Sequence, residues 1–255
     1  LGDLGNARSA GEEALAIART IGDRAKEAAI LNNLGAIYHA LGQFEIAQQY
    51  HAQALSLSQT LHDRQSESLS ANNLALVLCD LSKFAEARRY ARMAVSLDRE
   101  IGDRFGQGYS LTTLARALFG LGTLTEARQS HEEAIVLRHD IGQTAAAIDN
   151  LAELARLSLV QNNVQSAHRY TSDILGWIET NGLDGIEYPL RAYMICVDVL
   201  ETAGETELAR ALLGQANILL QEQAQRISNP DIRQTFLDNV PLHRQIQTRL
   251  KKEIR

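Results

Sequence analysis

The segment Ile21-Gly22-Asp23-Arg24 returns as Leu61-His62-Asp63-Arg64, as Ile101-Gly102-Asp103-Arg104 and, weakened, as Ile141-Gly142-Gln143-Thr144. The step is 40 residues each time, without insertion. A fixed period of this size marks a stack of one repeated supersecondary unit, in which each unit buries its apolar face only against its neighbours. The recurring segment carries its own reason. Gly22 suits the left-handed residue that ends a helix. Asp23 suits the cap whose carboxylate takes up the free N–H groups of the next helix. Each recurrence is therefore a stop and a start.

Composition agrees with a helical stack. Apolar residues make up 45% of the chain but aromatic residues only 5%, which fits close-packed helices better than a sheet core. Proline costs roughly 3 kcal/mol inside a helix, and all three prolines (Pro189, Pro230 and Pro241) fall after residue 180. The net charge is −6, with both signs mixed, so nucleic acid is not an expected partner. No apolar run reaches the roughly 18 residues of a membrane span, and no signal-peptide pattern is present. Cys79 and Cys196 are far apart and lack metal-type spacing, so a reducing, cytoplasmic compartment is expected.

In chain order, Leu1-Gly2 shares the register of Leu41-Gly42, Leu81-Ser82 and Leu121-Gly122, so the chain is expected to start at a turn inside a repeat and to be part of a longer protein. Residues 3–20 read as one helix, with Leu4, Ala7, Ala14, Leu15 and Ala18 on its apolar side. The next helices carry Leu31, Leu34, Tyr38 and Leu41, then Phe44, Ala47, His51, Ala54 and Leu55, at three-four spacing. Gly35 is expected to allow a close approach of the partner helix. The pattern is lost after Asn181 and resumes late, which gives a divergent fifth helix pair over 187–227. Asn229-Pro230 reads as a capped helix start. Residues 1–180 are thus expected to form the regular array, 181–227 the divergent pair and its link, and 228–255 the capping helices. The basic end (Arg244, Arg249, Lys251, Lys252, Arg255) is read as a solvated face, with nucleic acid or a neighbouring domain as the alternative contact.

Leu31, Leu34-Gly35, Tyr38, Ala47 and Ala54 resemble the small/large pattern of the tetratricopeptide repeat. Two departures are clear: Leu31 stands where the pattern has Trp, and the period is 40 rather than about 34 residues. The long period, with Asn32-Asn33-Leu34-Gly35 and the Ile-Gly-Asp-Arg segment, is similar to repeats of kinesin light chain, of the Pins/LGN spindle adaptors, and of the arms of bacterial signalling ATPases and transcriptional regulators. The resemblance implies an all-α, right-handed superhelix (an α-solenoid) of about five helix pairs with a C-terminal capping segment. It also implies a concave groove lined by the first helix of each repeat.

Projected by register, the groove is lined in repeat one by Ala29, Asn32, Asn33, Ala36 and His39. In repeat two it is lined by Leu69, Asn72, Asn73, Leu76, Cys79 and Asp80. Tyr109, Thr112, Thr113, Arg116 and Phe119 follow in repeat three, and Asp149, Ala152, Glu153, Arg156 and Leu159 in repeat four. The resemblance makes Asn33 and Asn73 clamps for a peptide backbone, since an amide offers both a donor and an acceptor, with Asn32 and Asn72 beside them. Arg116 and Arg156 form a candidate cationic spot for an acidic group, or pair with Glu153 and Asp149 instead. Tyr109 and Phe119 either anchor an apolar side chain, near Thr113, or pack within the stack.

Little points to catalysis. His51 and His131 share a register 80 residues apart and read as packing residues. His39 and Cys79 occupy equivalent positions on adjacent repeats, but no third orienting group accompanies them. There is no Gly-rich phosphate loop, H-E-x-x-H or C-x2-C pair, so no cofactor, metal or enzyme activity is expected. The expected function is peptide or protein recognition in the groove, by part of a bacterial signalling or regulatory protein. The alternatives are an intramolecular sensor arm controlling an N-terminal NTPase or DNA-binding domain, and a homo-oligomerising scaffold of unknown oligomeric state.

Overall fold

The computed structural model describes residues 3–253, so Leu1, Gly2 and Arg255, which entered the sequence reading, lie outside the described residues. The described residues form helices and no strands. The order is α1 (Leu4–Ile21), α2 (Arg24–Ala40), α3 (Phe44–Leu61), α4 (Arg64–Asp80), α5 (Phe84–Ile101), α6 (Arg104–Gly120) and α7 (Leu124–Asp140). It continues with α8 (Thr144–Val160), α9 (Val164–Asn181), α10 (Pro189–Ala203), α11 (Thr206–Gln225), α12 (Pro230–Asn239) and α13 (Pro241–Glu253). Helices α2 to α9 are four antiparallel pairs of 17–18-residue helices. The extra length over a shorter repeat is in the helices, because the turns hold only two or three residues.

The turns follow the chemistry of the repeated segment. Gly22, His62, Gly102 and Gly142 all adopt positive φ. Asp23, Asp63 and Asp103 accept the N–H of Lys26, Ser66 and Gly106 at 3.0, 3.1 and 2.8 Å. Removing such a cap costs about 1 kcal/mol. Gln143, where the segment decays, makes no capping bond from its side chain. Small residues set the distance between paired helices: Ala47, Ala54, Ala87, Ala94, Ala127 and Ala134 are fully buried. Leucines such as Leu34 and Leu157 fill the space between successive pairs, each contributing about 1.5–3 kcal/mol by burial. Ala7 departs from the expected apolar side of α1 and is exposed, because α1 packs mainly on α2.

Gly35 makes room for a side chain rather than for a backbone. A Cβ there would lie 2.6–2.7 Å from the His51 ring. The His51 Nδ1 lies 2.9 Å from Asn32 Oδ1, and burial pushes the imidazole down to about 3, so it is neutral. His131 is also buried but meets a different partner: its Nδ1 lies 3.0 Å from the amide nitrogen of Asn150, on the first helix of the next pair, and burial holds it down to about 4.

The C-terminal part closes the array on itself. Ile232, Phe236 and Ile246 share one apolar core with α10 and α11 and also with Leu4 and Leu41. The Ser228 hydroxyl donates to the Asp3 carboxylate. A Cβ on Gly42 would stand 2.8 Å from the Asn239 carbonyl carbon and 2.9 Å from Val240 N. Arg249 ties α13 to α10 through Asp198 (2.5 Å) and Glu201 (2.6 Å), so this member of the basic end is paired, while Arg244, Lys251 and Lys252 are exposed. Through Asn229 and Ile232 at Gly5 of α1 and Asn239 and Val240 at Gly42 after α2, the closing segment meets the start of the array beside an interior space.

Candidate functional site

That space is a cavity of about 850 Å3. Its wall is built mainly by the first helix of each pair. Helix α4 supplies Leu69, Asn72, Asn73, Leu76 and Asp80; α6 supplies Phe105, Tyr109, Thr112, Thr113 and Arg116; and α8 supplies Asp149, Ala152 and Glu153. The residues Pro189–Arg191 of α10 continue the wall, and Phe236, Leu242 and His243 of the closing helices complete it. From repeat one only the end of α2 and the start of α3 reach it, through His39, Ala40 and Phe44. The wall mixes amides and charges with exposed apolar groups, as ligand cavities of this size do.

The amides of repeats one and two have different placements. Asn72 and Asn73 are in the wall. Asn73 donates its Nδ2 to Asn32 Oδ1 at 3.2 Å and has no other side-chain partner among the described residues. Asn72 is nine-tenths buried and its Oδ1 has no hydrogen-bond donor. Asn32 is also buried, but its oxygen is taken by His51 and Asn73, so it does not reach the cavity. Asn33 is exposed and outside the wall, where the enclosure by α4, α6 and α8 does not extend.

The two arginines do not form the cationic spot that their shared register suggests. Arg116 is in the wall, but its guanidinium pairs with the Asp80 carboxylate, which also binds His39 Nε2 at 2.7 Å. Burial would raise Asp80, yet Arg116 and His39 outweigh it and hold the carboxyl at about 2. Arg156 is not in the wall: it stacks on Phe119, 3.8 Å from the ring centroid, and pairs with Glu153 at 2.7 Å. Glu153 also binds Arg191, and these two cations hold it well below the usual carboxylate range despite its burial. Tyr109 packs on Phe105, with centroids 5.2 Å apart, rather than pairing with Phe119. Thr113 is a buried wall residue. Cys79 is buried outside the wall, and burial pushes its thiol up to about 11, so neutral pH leaves it protonated while His39 is engaged by Asp80.

Several wall residues escaped the register projection. Asp98 comes from the second helix of its pair and reaches the cavity between Ser68 and Ser110, whose hydroxyls both donate to it. Glu187, Tyr188 and Arg191 come from the irregular link before α10 and from α10 itself. That link is held by Asp149, whose carboxylate accepts the N–H of Glu187 at 2.9 Å and of Tyr188 at 3.0 Å. The break after Asn181 was the available signal that this stretch does something other than continue the repeat.

A profile of the tetratricopeptide repeat matches residues 1–60 and 66–138. The chain belongs to the tetratricopeptide repeat family. Solved structures agree on the fold of the array. BtubC (BKLC) from P. vanneervenii is 17% identical, superposes with a TM-score of 0.66, and covers 89% of this chain and 94% of its own. The apo form of RapI is 14% identical with a TM-score of 0.67, over 98% of this chain and 93% of its own. A Rap protein complexed with Competence and Sporulation Factor is 15% identical with a TM-score of 0.60, over 89% of this chain and 65% of its own. No curated protein sequence matches the chain. In this tetratricopeptide array no described helix is long and apolar enough to cross a membrane.

Proposed function

We propose that the array is a peptide-recognition module and that the cavity enclosed by α4, α6, α8, α10 and the closing helices takes a short extended peptide. The observation that carries this reading is the partly open cavity of about 850 Å3, with Asn72 and Asn73 side by side in its wall. An amide with free valences in such a wall can accept a peptide N–H and donate to a peptide carbonyl. Thr113 and Tyr109 face the ligand from the next repeat. Arg116 holds the Asp80 and His39 groups of two adjacent repeats in place. Asn32 orients Asn73 from behind, and Arg156 braces Glu153. A preformed cavity lowers the ordering cost of binding. A Rap protein of the same fold is complexed with Competence and Sporulation Factor, which supports the reading by analogy of architecture.

The experiment compares the two asparagines that share a register. A random hexapeptide pool, acetylated and amidated at its ends, is passed over the immobilised chain, and retained peptide is quantified. Asn73→Ala is expected to lower retention about tenfold, the effect of losing one or two neutral hydrogen bonds. Asn33→Ala is expected to stay within about twofold of the parent. Leu76→Trp, which projects an indole into the wall beside Asn72 and Asn73, is expected to lower retention more strongly than Asn73→Ala. Unchanged retention by Leu76→Trp would place the peptide elsewhere.

A further inference from the structure

Six carboxylates line the cavity, and only two of them are neutralised. Asp80 is matched by Arg116, and Glu153 by Arg191 and Arg156. Asp98, Asp103, Asp149 and Glu187 have no lysine or arginine within ion-pairing distance among the described residues. The four bracket the aromatic pair Phe105 and Tyr109. On one side Asp98 and Asp103 converge at Gly106, where a Cβ would lie 3.0 Å from Asp98 Oδ1 and 2.7 Å from Asp103 Oδ2. On the other, Asp149 and Glu187 lie close enough to Tyr109 for their charges to raise its hydroxyl above the usual range, adding to the larger effect of burial.

The aromatic and aliphatic groups beside these acids are open. Phe105 is 57% exposed and Leu69 is 53% exposed. Asn72, nine-tenths buried in the adjoining wall, keeps an acceptor oxygen without a donor. Arg138, whose charge lowers both Asp149 and Glu187, makes no ion pair with either. It is buried behind Tyr109, 4.9 Å from the ring centroid, with its guanidinium donating to the Ala146 carbonyl and to Thr112 Oγ1, and it is not part of the wall. The low-dielectric wall around its carboxyl, joined by the charge of Asp149, pushes Glu187 up to about 7 although the residue keeps contact with solvent, and burial pushes Asp149 up to about 6; the more distant charge of Arg138 offsets each only in part. Both shifts fit carboxylates awaiting a positive charge. No three of these groups converge as metal ligands among the described residues, so an organic cation fits the site better than a metal ion.

Resting on the peptide reading above, we propose that this end of the cavity seats a basic side chain of the bound peptide, an arginine or lysine flanked by an apolar residue. The cation stands over Phe105 and Tyr109, where ring faces attract positive charge. It pairs with Glu187 and Asp149, and the apolar neighbour covers Leu69. The selectivity is the reverse of that suggested by the register of Arg116 and Arg156.

The test sequences the peptides retained from the same capped hexapeptide pool, whose only cations are side chains. Peptides with Arg or Lys next to an apolar residue are expected to be enriched about tenfold over those with Glu or Asp. Glu187→Gln and Phe105→Ala, both at exposed positions, are each expected to lower that enrichment several-fold with an unchanged circular dichroism spectrum. Peptides retained without basic preference, with acidic preference, or with a basic preference untouched in Glu187→Gln would overturn the basic subsite while leaving the cavity as a peptide site. A pool from which nothing is retained would overturn both.

Discussion

Helices α2 and α4 have the same place in successive repeats and the same Asn-Asn-Leu core, yet they meet different surroundings. On α4, Asn72 and Asn73 line the cavity. On α2, Asn32 is spent on His51 and Asn33 faces solvent outside the wall. Two physical differences separate them. Repeat one pairs Gly35 with His51, a polar ring that captures the neighbouring amide, whereas repeat two has Ala75 and Ala91 at those positions, both fully buried. In addition, the end of α12 meets the array at Gly42, just after α2, so the cavity begins only there. A repeat's register decides which side a residue faces, while closure of the array decides whether that side bounds a cavity.

The largest effect is expected from breaking the closure. Gly42 and Gly122 occupy the same turn in different repeats, with φ of 70° and 76°. A side chain on either meets the left-handed penalty of about 1 kcal/mol. Only at Gly42 does the added Cβ also strike backbone, at Asn239 and Val240, whereas nothing lies within 4 Å of Gly122. Gly122→Ala should therefore lose about 1 kcal/mol and Gly42→Ala about 3 kcal/mol, read as midpoint shifts in urea unfolding. Gly42→Ala should also make residues 226–241 more susceptible to protease. Equal losses in the two variants would mean that the contact of α12–α13 with the first repeat contributes nothing.

The next effect concerns the polar pair of repeat one. Gly35→Ala drives a methyl into the His51 ring and should cost about 2 kcal/mol, typical of overpacking. Adding His51→Ala installs the alanine pair of repeat two and should recover most of that loss. The signature is a coupling between the two sites of at least about 1 kcal/mol in a double-mutant cycle. Additive losses would show that the ring and the glycine do not depend on each other.

These contrasts explain what the sequence could reveal. The helix pairs, the left-handed turns at Gly22 and Gly102 and the caps at Asp23, Asp63 and Asp103 are local, set by residues a few positions apart, so the 40-residue period displays them openly. The wall positions of α4 and α6 are also legible, because helical spacing and repeat register suffice to place Leu69, Asn72, Asn73, Tyr109 and Arg116. What stayed hidden depends on contacts across long sequence separations. Arg116 looks like a free cation until Asp80, on the preceding repeat, is brought to it. Asp98 belongs to a second helix and enters the wall only through the serines of its neighbours. The role of Asp149 in holding the link at Glu187 and Tyr188 cannot be seen from a register that ends at Asn181. Closure by Phe236 and its neighbours has no periodic signal.

The smallest effect, in stability, tests whether the acids around Phe105 are uncompensated. Glu187 has a folded-state pKa near 7, above its ordinary 4.5, so the fold holds its proton more tightly than the unfolded chain does. Its contribution to stability is fully present below pH 4.5 and lost as pH rises through 7. Above that, the wild-type chain bears the cost of a carboxylate beside Asp149, and Glu187→Gln does not. The variant should therefore melt higher than the parent at pH 8 and equal to it at pH 4.5. Because Glu187 touches solvent, screening reduces the gap to about 0.5 kcal/mol, or about 1–2 °C. The buried His51 and His131, with lowered folded-state pKa values, destabilise both proteins as pH falls below their ordinary 6.5, so that slope cancels in the comparison. A variant that melts lower than the parent at pH 8 would mean that Glu187 already meets a cation in the free protein, and the seat proposed for a basic side chain would then be occupied from within.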